Sequence, residues 1–136
     1  RSRHHRAFLE PGTGAMLLAD NAKRLRDGLF GQGVPSAALE EHLSVLGNPA
    51  ALEAALAWYR ANKGLASDIG TIRVPTLYIW GDADATVGPD AAQGTGEFVS
   101  ASFGMEVLPG VGHFVMDQAP ARATELLLGH LAKHPV

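Results

Sequence analysis

Two short loops hold the residues best able to do chemistry in this chain. One reads Gly81-Asp82-Ala83-Asp84-Ala85-Thr86-Val87-Gly88, the other Gly110-Val111-Gly112-His113-Phe114. Each follows a short apolar run, so each is expected just past the carboxyl end of a strand, where parallel α/β proteins gather their reactive groups. An acid at Asp84 and an imidazole at His113, 29 residues apart, form the kind of pair in which the carboxylate fixes the imidazole tautomer and stabilises its cation. That is a general-base dyad in want of a nucleophile. The plain alternatives are an Asx-type turn residue for Asp84, a reading that also covers Asp82, and a satisfied loop histidine for His113.

The elements that must position this pair come from the second half of the chain. Val74-Pro75-Thr76-Leu77-Tyr78-Ile79-Trp80 is a β-branched and aromatic run ended by Gly81, the signature of a buried strand with proline tolerated near its start. Residues 89 to 102 are expected to be helical, though weakened by Gly94 and Gly96. Met105 to Leu108 forms a second strand ended by Pro109-Gly110, and an amphipathic helix starts at about Pro120 with Leu126, Leu127 and Leu131 on its apolar side. Strand, helix, strand, helix implies a parallel α/β layer. Two strands leave faces and edges to cover, so the sheet is expected to be incomplete.

Residues 13 to 63 read instead as helices. Leu17, Leu18, Leu25 and Leu29 recur at helical spacing until Gly31-Gln32-Gly33, and Ser36 is expected to cap a second helix through Leu39, Leu43 and Leu46. Asn48-Pro49, an N-cap followed by proline at the first helical position, opens a third that runs through Leu52, Leu56 and Tyr59 to Gly64.

Composition narrows the function classes. The 136 residues are 46% hydrophobic and 18% charged, with a net charge of −3, which is globular and offers neither nucleic acid nor anionic lipid a broad basic surface. The absence of cysteine excludes disulfide frameworks and thiolate catalysis, and a cytoplasmic setting is the expectation. No apolar stretch approaches the roughly 20 residues that span a bilayer. The start, Arg1-Ser2-Arg3-His4-His5-Arg6, is basic, lacks Met and is followed by no signal-peptide core; the expectation is a segment from within a longer protein.

At this point a resemblance becomes specific. Val74 through Asp84 resembles the acid-bearing strand and turn of the α/β-hydrolase family, and Leu108-Pro109-Gly110-Val111-Gly112-His113-Phe114 resembles the loop with that family's catalytic histidine. The order, acid then histidine, is also the family's. The resemblance implies a partial α/β-hydrolase fold: residues 1–66 as a helical cap segment, and residues 67–136 as the C-terminal part of the core, the last βαβα portion of its parallel sheet. Within the cap, Leu56-Ala57-Trp58-Tyr59-Arg60 is similar to the segment of epoxide hydrolases in which a tyrosine donates to the epoxide oxygen, which implies that role for Tyr59 beside the plain reading of a packed tyrosine. Phe8-Leu9-Glu10-Pro11-Gly12 resembles the beginning of the same cap. Counted back from Pro11, the position of that family's second tyrosine holds His4.

One feature of the family is absent. No Gly-x-Ser-x-Gly occurs, nor the same frame with Asp or Cys, and none of Ser2, Ser36, Ser44, Ser67, Ser100 or Ser102 follows a strand at a tight glycine turn. The nucleophile is therefore expected in an N-terminal segment outside these residues, and the isolated chain is expected to be inactive. A small-molecule substrate, and the N-terminal half or a second copy to complete the sheet, are the expected partners.

Other motifs carry less. Asp82-Ala83-Asp84-Ala85-Thr86 mimics the D-x-D-x-T of dehalogenase-type phosphatases, but such sites also want a lysine on a later strand, and only Lys133 lies downstream. Gly12-Thr13-Gly14, Gly94-Thr95-Gly96 and Gly110-Val111-Gly112 lack the later glycine of a dinucleotide fingerprint, so no cofactor is implied. His4 and His5 lack convergent ligand spacing beside their arginines, and His42, His130 and His134 read as solvated helix positions, so no metal is assigned. Epoxide hydrolysis is the most specific reading. Its rivals are carboxylic ester hydrolysis and a non-catalytic segment that binds a partner.

Overall fold

In a computed structural model, residues 3–62 and 70–135 are described, the side chains of residues 3–5 excepted. The chain divides into two compact units, Arg1–Ile69 and Gly70–Val136. The helix stop at Gly64 and a boundary between residues 66 and 67 lie outside the described residues.

The first unit is helical: α1 (Arg3–Leu9), α2 (Thr13–Gly31), α3 (Ser36–Leu46) and α4 (Pro49–Ala61). Leu39 and Leu43 on α3 and Leu52 and Leu56 on α4 are buried at i, i+4 spacing, the stripe an amphipathic helix turns toward its neighbours. Asn48 caps α4 as its sequence predicts, accepting from the Ala50 and Ala51 amides at 2.9 and 3.3 Å, with Pro49 in the first turn. Ser36 does not cap α3. The N-cap is Pro35, whose carbonyl accepts from the Leu39 amide at 2.9 Å and so starts the helical ladder one residue earlier.

The expected helix through Leu17 and Leu29 is also not continuous. Ala19 is extended and Asp20, Asn21 and Ala22 take left-handed φ values of 52, 56 and 57°, so α2 is two helical pieces joined by a reversed turn. Leucine periodicity is blind to such a turn, because both pieces keep an apolar face.

The second unit holds β1 (Thr76–Gly81) and β2 (Phe103–Leu108), paired in parallel with Thr76 opposite Phe103 and Gly81 opposite Leu108. Pairing starts at Thr76 rather than Val74 because Pro75 has no amide to give; the Thr76 amide donates to the Ser102 carbonyl at 2.9 Å. The expected helix over 89 to 102 is only α5 (Pro89–Gln93), continued as a 3-10 turn over Gly94–Phe98. Each glycine there costs a helix about 1 kcal/mol, and Gly96 lies so close to the Phe103 ring that a Cβ would sit 3.0 Å from it.

A short helix that the sequence did not suggest, α6 (Val115–Gln118), follows the histidine loop, and α7 (Pro120–Lys133) starts where expected. Trp80, Ala92, Leu108 and Ala123 form the buried core. Of the apolar face expected on α7, Leu127 and Leu131 are 44% and 50% exposed. His130 and His134 are half-buried rather than solvated, their rings 4.7 Å apart. No described helix is long and apolar enough to cross a membrane.

Candidate active site

The register of the two strands decides where the reactive loops meet. Because Gly81 and Leu108 end β1 and β2 side by side, the turns that follow emerge at the same end of the sheet, as adjacent parallel strands require. Backbone bonds then tie one turn to the other: the Asp82 amide donates to the Leu108 carbonyl at 3.2 Å and the Ala83 amide to the Val111 carbonyl at 3.0 Å.

Asp84 divides its two oxygens between two tasks. Oδ1 accepts from the amides of Thr86 and Val87 at 2.6 and 2.9 Å, which is the Asx-type turn. Oδ2 stands 2.9 Å from Nδ1 of His113. Asp84 thus forms the Asx-type turn and faces the imidazole at once, and the two amides on Oδ1 hold the carboxylate in place beside His113. Trp80 closes the far end of the loop, its Nε1 donating to the Val87 carbonyl at 3.3 Å.

The electrostatics follow from this geometry. The Asp84 side chain is only 5% exposed. Burial pushes its carboxyl up, but the His113 hydrogen bond, the Val87 and Thr86 amides and the His113 charge outweigh burial, so the carboxyl lies below the usual aspartate value of 3.8. It is ionised at neutral pH. Tyr78, on β1, is shifted in the opposite sense: burial, and then the negative charge of Asp84, raise its phenol.

His113 is 39% exposed, with Phe114 edge-on to its ring at 5.4 Å. With Nδ1 directed at a carboxylate, the proton sits on Nδ1 and Nε2 is the basic nitrogen. An imidazole so arranged can take a proton from water or a hydroxyl at Nε2 while the carboxylate stabilises the cation that forms.

Of the three residues expected to do chemistry, Asp84 and His113 are brought together and Tyr59 belongs to the other unit. Tyr59 lies on α4, half-buried, with its ring edge-on to Phe8 at 4.9 Å and to Trp58 at 5.2 Å. Phe8 and Tyr59, from the two segments that resemble an epoxide-hydrolase cap, are therefore in contact. The phosphatase mimic fails on geometry, because Asp84 is committed to His113 and its own turn while Asp82 Oδ1 accepts from the Gly110 amide at 2.6 Å. Among the described residues no three His, Asp or Glu side chains converge as metal ligands.

Two further polar side chains, neither marked by the sequence for this role, touch the histidine loop. Asp82, which the sequence offers as a local turn residue, is one of them, and Gln118, whose Oε1 accepts from the Gly112 amide at 2.8 Å, sits on α6, a helix that apolar periodicity does not mark. The spacing of Asp82 and Gly110 holds no signal until the strand register is known.

No family model matches the sequence, and no curated protein does. Solved structures do. Epoxide hydrolase A from Mycobacterium thermoresistibile superimposes with a TM-score of 0.75 at 20% identity, over 94% of this chain and 51% of that one. The epoxide hydrolase of Bacillus megaterium in complex with an inhibitor matches at 0.72 and 17% identity, over 96% of this chain and 51% of that one. A structure from work on α/β-hydrolase-superfamily epoxide hydrolases in metagenomes from hot environments matches at 0.67 and 25% identity, over 98% and 51%. The chain spans about half the length of these structures, and its fold is that of part of an α/β-hydrolase.

Proposed function

We propose that this chain supplies the acid and the base of a hydrolase whose nucleophile comes from a segment outside these 136 residues, and that the reaction is the opening of an epoxide. The observation that carries the reading is the 2.9 Å contact between Asp84 Oδ2 and His113 Nδ1 at the carboxyl ends of adjacent parallel strands. Asp84 holds the imidazole with Nε2 as its free base. His113 takes a proton from water, which attacks the ester formed between substrate and nucleophile.

Tyr59 is the proposed acid for ring opening. Its hydroxyl donates to the epoxide oxygen as negative charge develops there, and the oxygen stays attached as the product's hydroxyl. Support comes from the similarity of Leu56 to Arg60 to the matching epoxide-hydrolase segment, and from the fold shared with structures described as epoxide hydrolases. The nucleophile segment is also the proposed partner for the two-stranded sheet, whose outer edges it would extend.

The test is to assay the chain alone, and again together with the nucleophile-bearing half, against a styrene-oxide-type epoxide and an aryl ester. Epoxide turnover only in the assembled protein is expected. Ester turnover without epoxide turnover would replace the substrate class, and activity of the chain alone would refute the external nucleophile.

A further inference from the structure

The loop that presents His113 carries two residues with little preference for any one shape. Gly110 and Gly112 are two of the four residues before it, and Gly110 takes a left-handed φ of 71°. The two glycines raise the conformational entropy that this stretch gives up on folding, and the single contact from Nδ1 to Asp84 must be kept within a few tenths of an ångström to set the tautomer. Something besides the dyad must hold the loop.

Two side chains do so, one from each direction. Asp82 Oδ1 accepts from the Gly110 amide at 2.6 Å, reaching across from the β1 turn, and Gln118 Oε1 accepts from the Gly112 amide at 2.8 Å, reaching back from α6. Between them, Val111 is fixed by the bond from the Ala83 amide to its carbonyl. Three consecutive residues before His113 are thus each tied to a different group. A turn-forming aspartate bonds to its own backbone two or three residues on, as Asp84 does; Asp82 instead bonds to an amide 28 residues away. That choice of partner separates a clamp from a local turn.

We infer that Asp82 and Gln118 are positioning residues that clamp the loop Gly110-Val111-Gly112 from both sides and so hold the His113 imidazole with Nδ1 toward Asp84. The inference rests on the reading of Asp84 and His113 as a working pair. The two anchors are not equivalent. Asp82 is a charged acceptor on an exposed side chain and gives the stronger bond, whereas Gln118 is neutral and half-buried.

The test is the imidazole tautomer of His113, read by nitrogen and carbon NMR shifts in the 136-residue chain at a pH of about 8.5, where an ordinary imidazole is neutral. The variants are Asp82→Ala, Asp82→Asn, Gln118→Ala and Gln118→Glu, with the amide spectrum reporting that each is folded. The wild type is expected to hold its proton on Nδ1. Asp82→Ala and Gln118→Ala are expected to populate the Nε2–H form and to raise hydrogen exchange at Gly110 and Gly112 respectively by roughly tenfold, the effect of losing one hydrogen bond. Asp82→Asn and Gln118→Glu keep an acceptor oxygen and are expected to keep the Nδ1–H form, with hydrogen exchange at Gly110 and Gly112 changed by less than in the alanine variants. If both alanine variants keep the Nδ1–H form, the clamp is overturned and the pair stands. If the wild type itself carries its proton on Nε2, the pair is not formed and both readings fall together.

Discussion

A Cβ placed on Gly81 would lie 2.1 Å from the carbonyl oxygen of Val111. The end of β1 and the histidine loop therefore touch backbone to backbone, and only a residue without a side chain lets them. The contact joins the two halves of the dyad, since Asp84 follows Gly81 by three residues and His113 follows Val111 by two.

Gly81→Ala should therefore disturb both stability and site. The neighbouring atoms are backbone carbonyls of Val111 and Gly112, which cannot turn aside as a flexible side chain would. A loss of about 3 kcal/mol is expected, in the range of overpacked buried positions. Urea unfolding followed by circular dichroism measures it, and an unchanged midpoint would mean that the two loops lie farther apart in solution.

The Asp84 carboxyl binds protons less readily in the folded chain than in the unfolded one. Between its folded value and 3.8 the unfolded state holds more protons, so stability rises with pH through that window, is fully present above it and is lost as pH falls through the folded value. Unfolding free energies measured from pH 2 to pH 7 should show that rise. Asp84→Asn should flatten it below about pH 4, and identical profiles for the two proteins would remove the hydrogen-bonding account of the shift.

The reversed turn in α2 places Asp20, Asn21 and Ala22 in the left-handed region, where a side chain is strained by roughly 1 kcal/mol or more. Asp20 is exposed, so Asp20→Gly relieves strain without opening a cavity. The relief is partly offset by the glycine's greater freedom in the unfolded chain, so the melting temperature should hold or rise slightly, by the equivalent of about 0.5 kcal/mol or less. A lower melting temperature would indicate a continuous helix, in which glycine weakens rather than helps.

What the sequence made legible follows from how local each signal is. Asn48 with Pro49 marked the start of α4, and Trp80-Gly81 and Leu108 marked the strand ends, because a cap or a strand end depends on few neighbours. Asp84 and His113 could be singled out for that reason. The reversed turn at Asp20, the failure of Ser36 to cap and the short α5 depend on competition between local geometries that differ by about 1 kcal/mol, which apolar periodicity does not register. The contacts of Asp82 with Gly110 and of Gln118 with Gly112 depend on which loops the register brings together, and appear only in three dimensions.

In the proposed reaction Asp84 orients His113 to activate water against an ester intermediate. The most direct measurement is mass spectrometry of the assembled protein carrying His113→Gln, mixed with a styrene-oxide-type epoxide. One substrate equivalent is expected to stay covalently attached while turnover falls by roughly 10⁶-fold, the scale of losing the histidine base from such a triad, with Asp84→Asn impaired in the same step by roughly 10⁴-fold. Turnover near wild type in His113→Gln, with no trapped adduct, would contradict it.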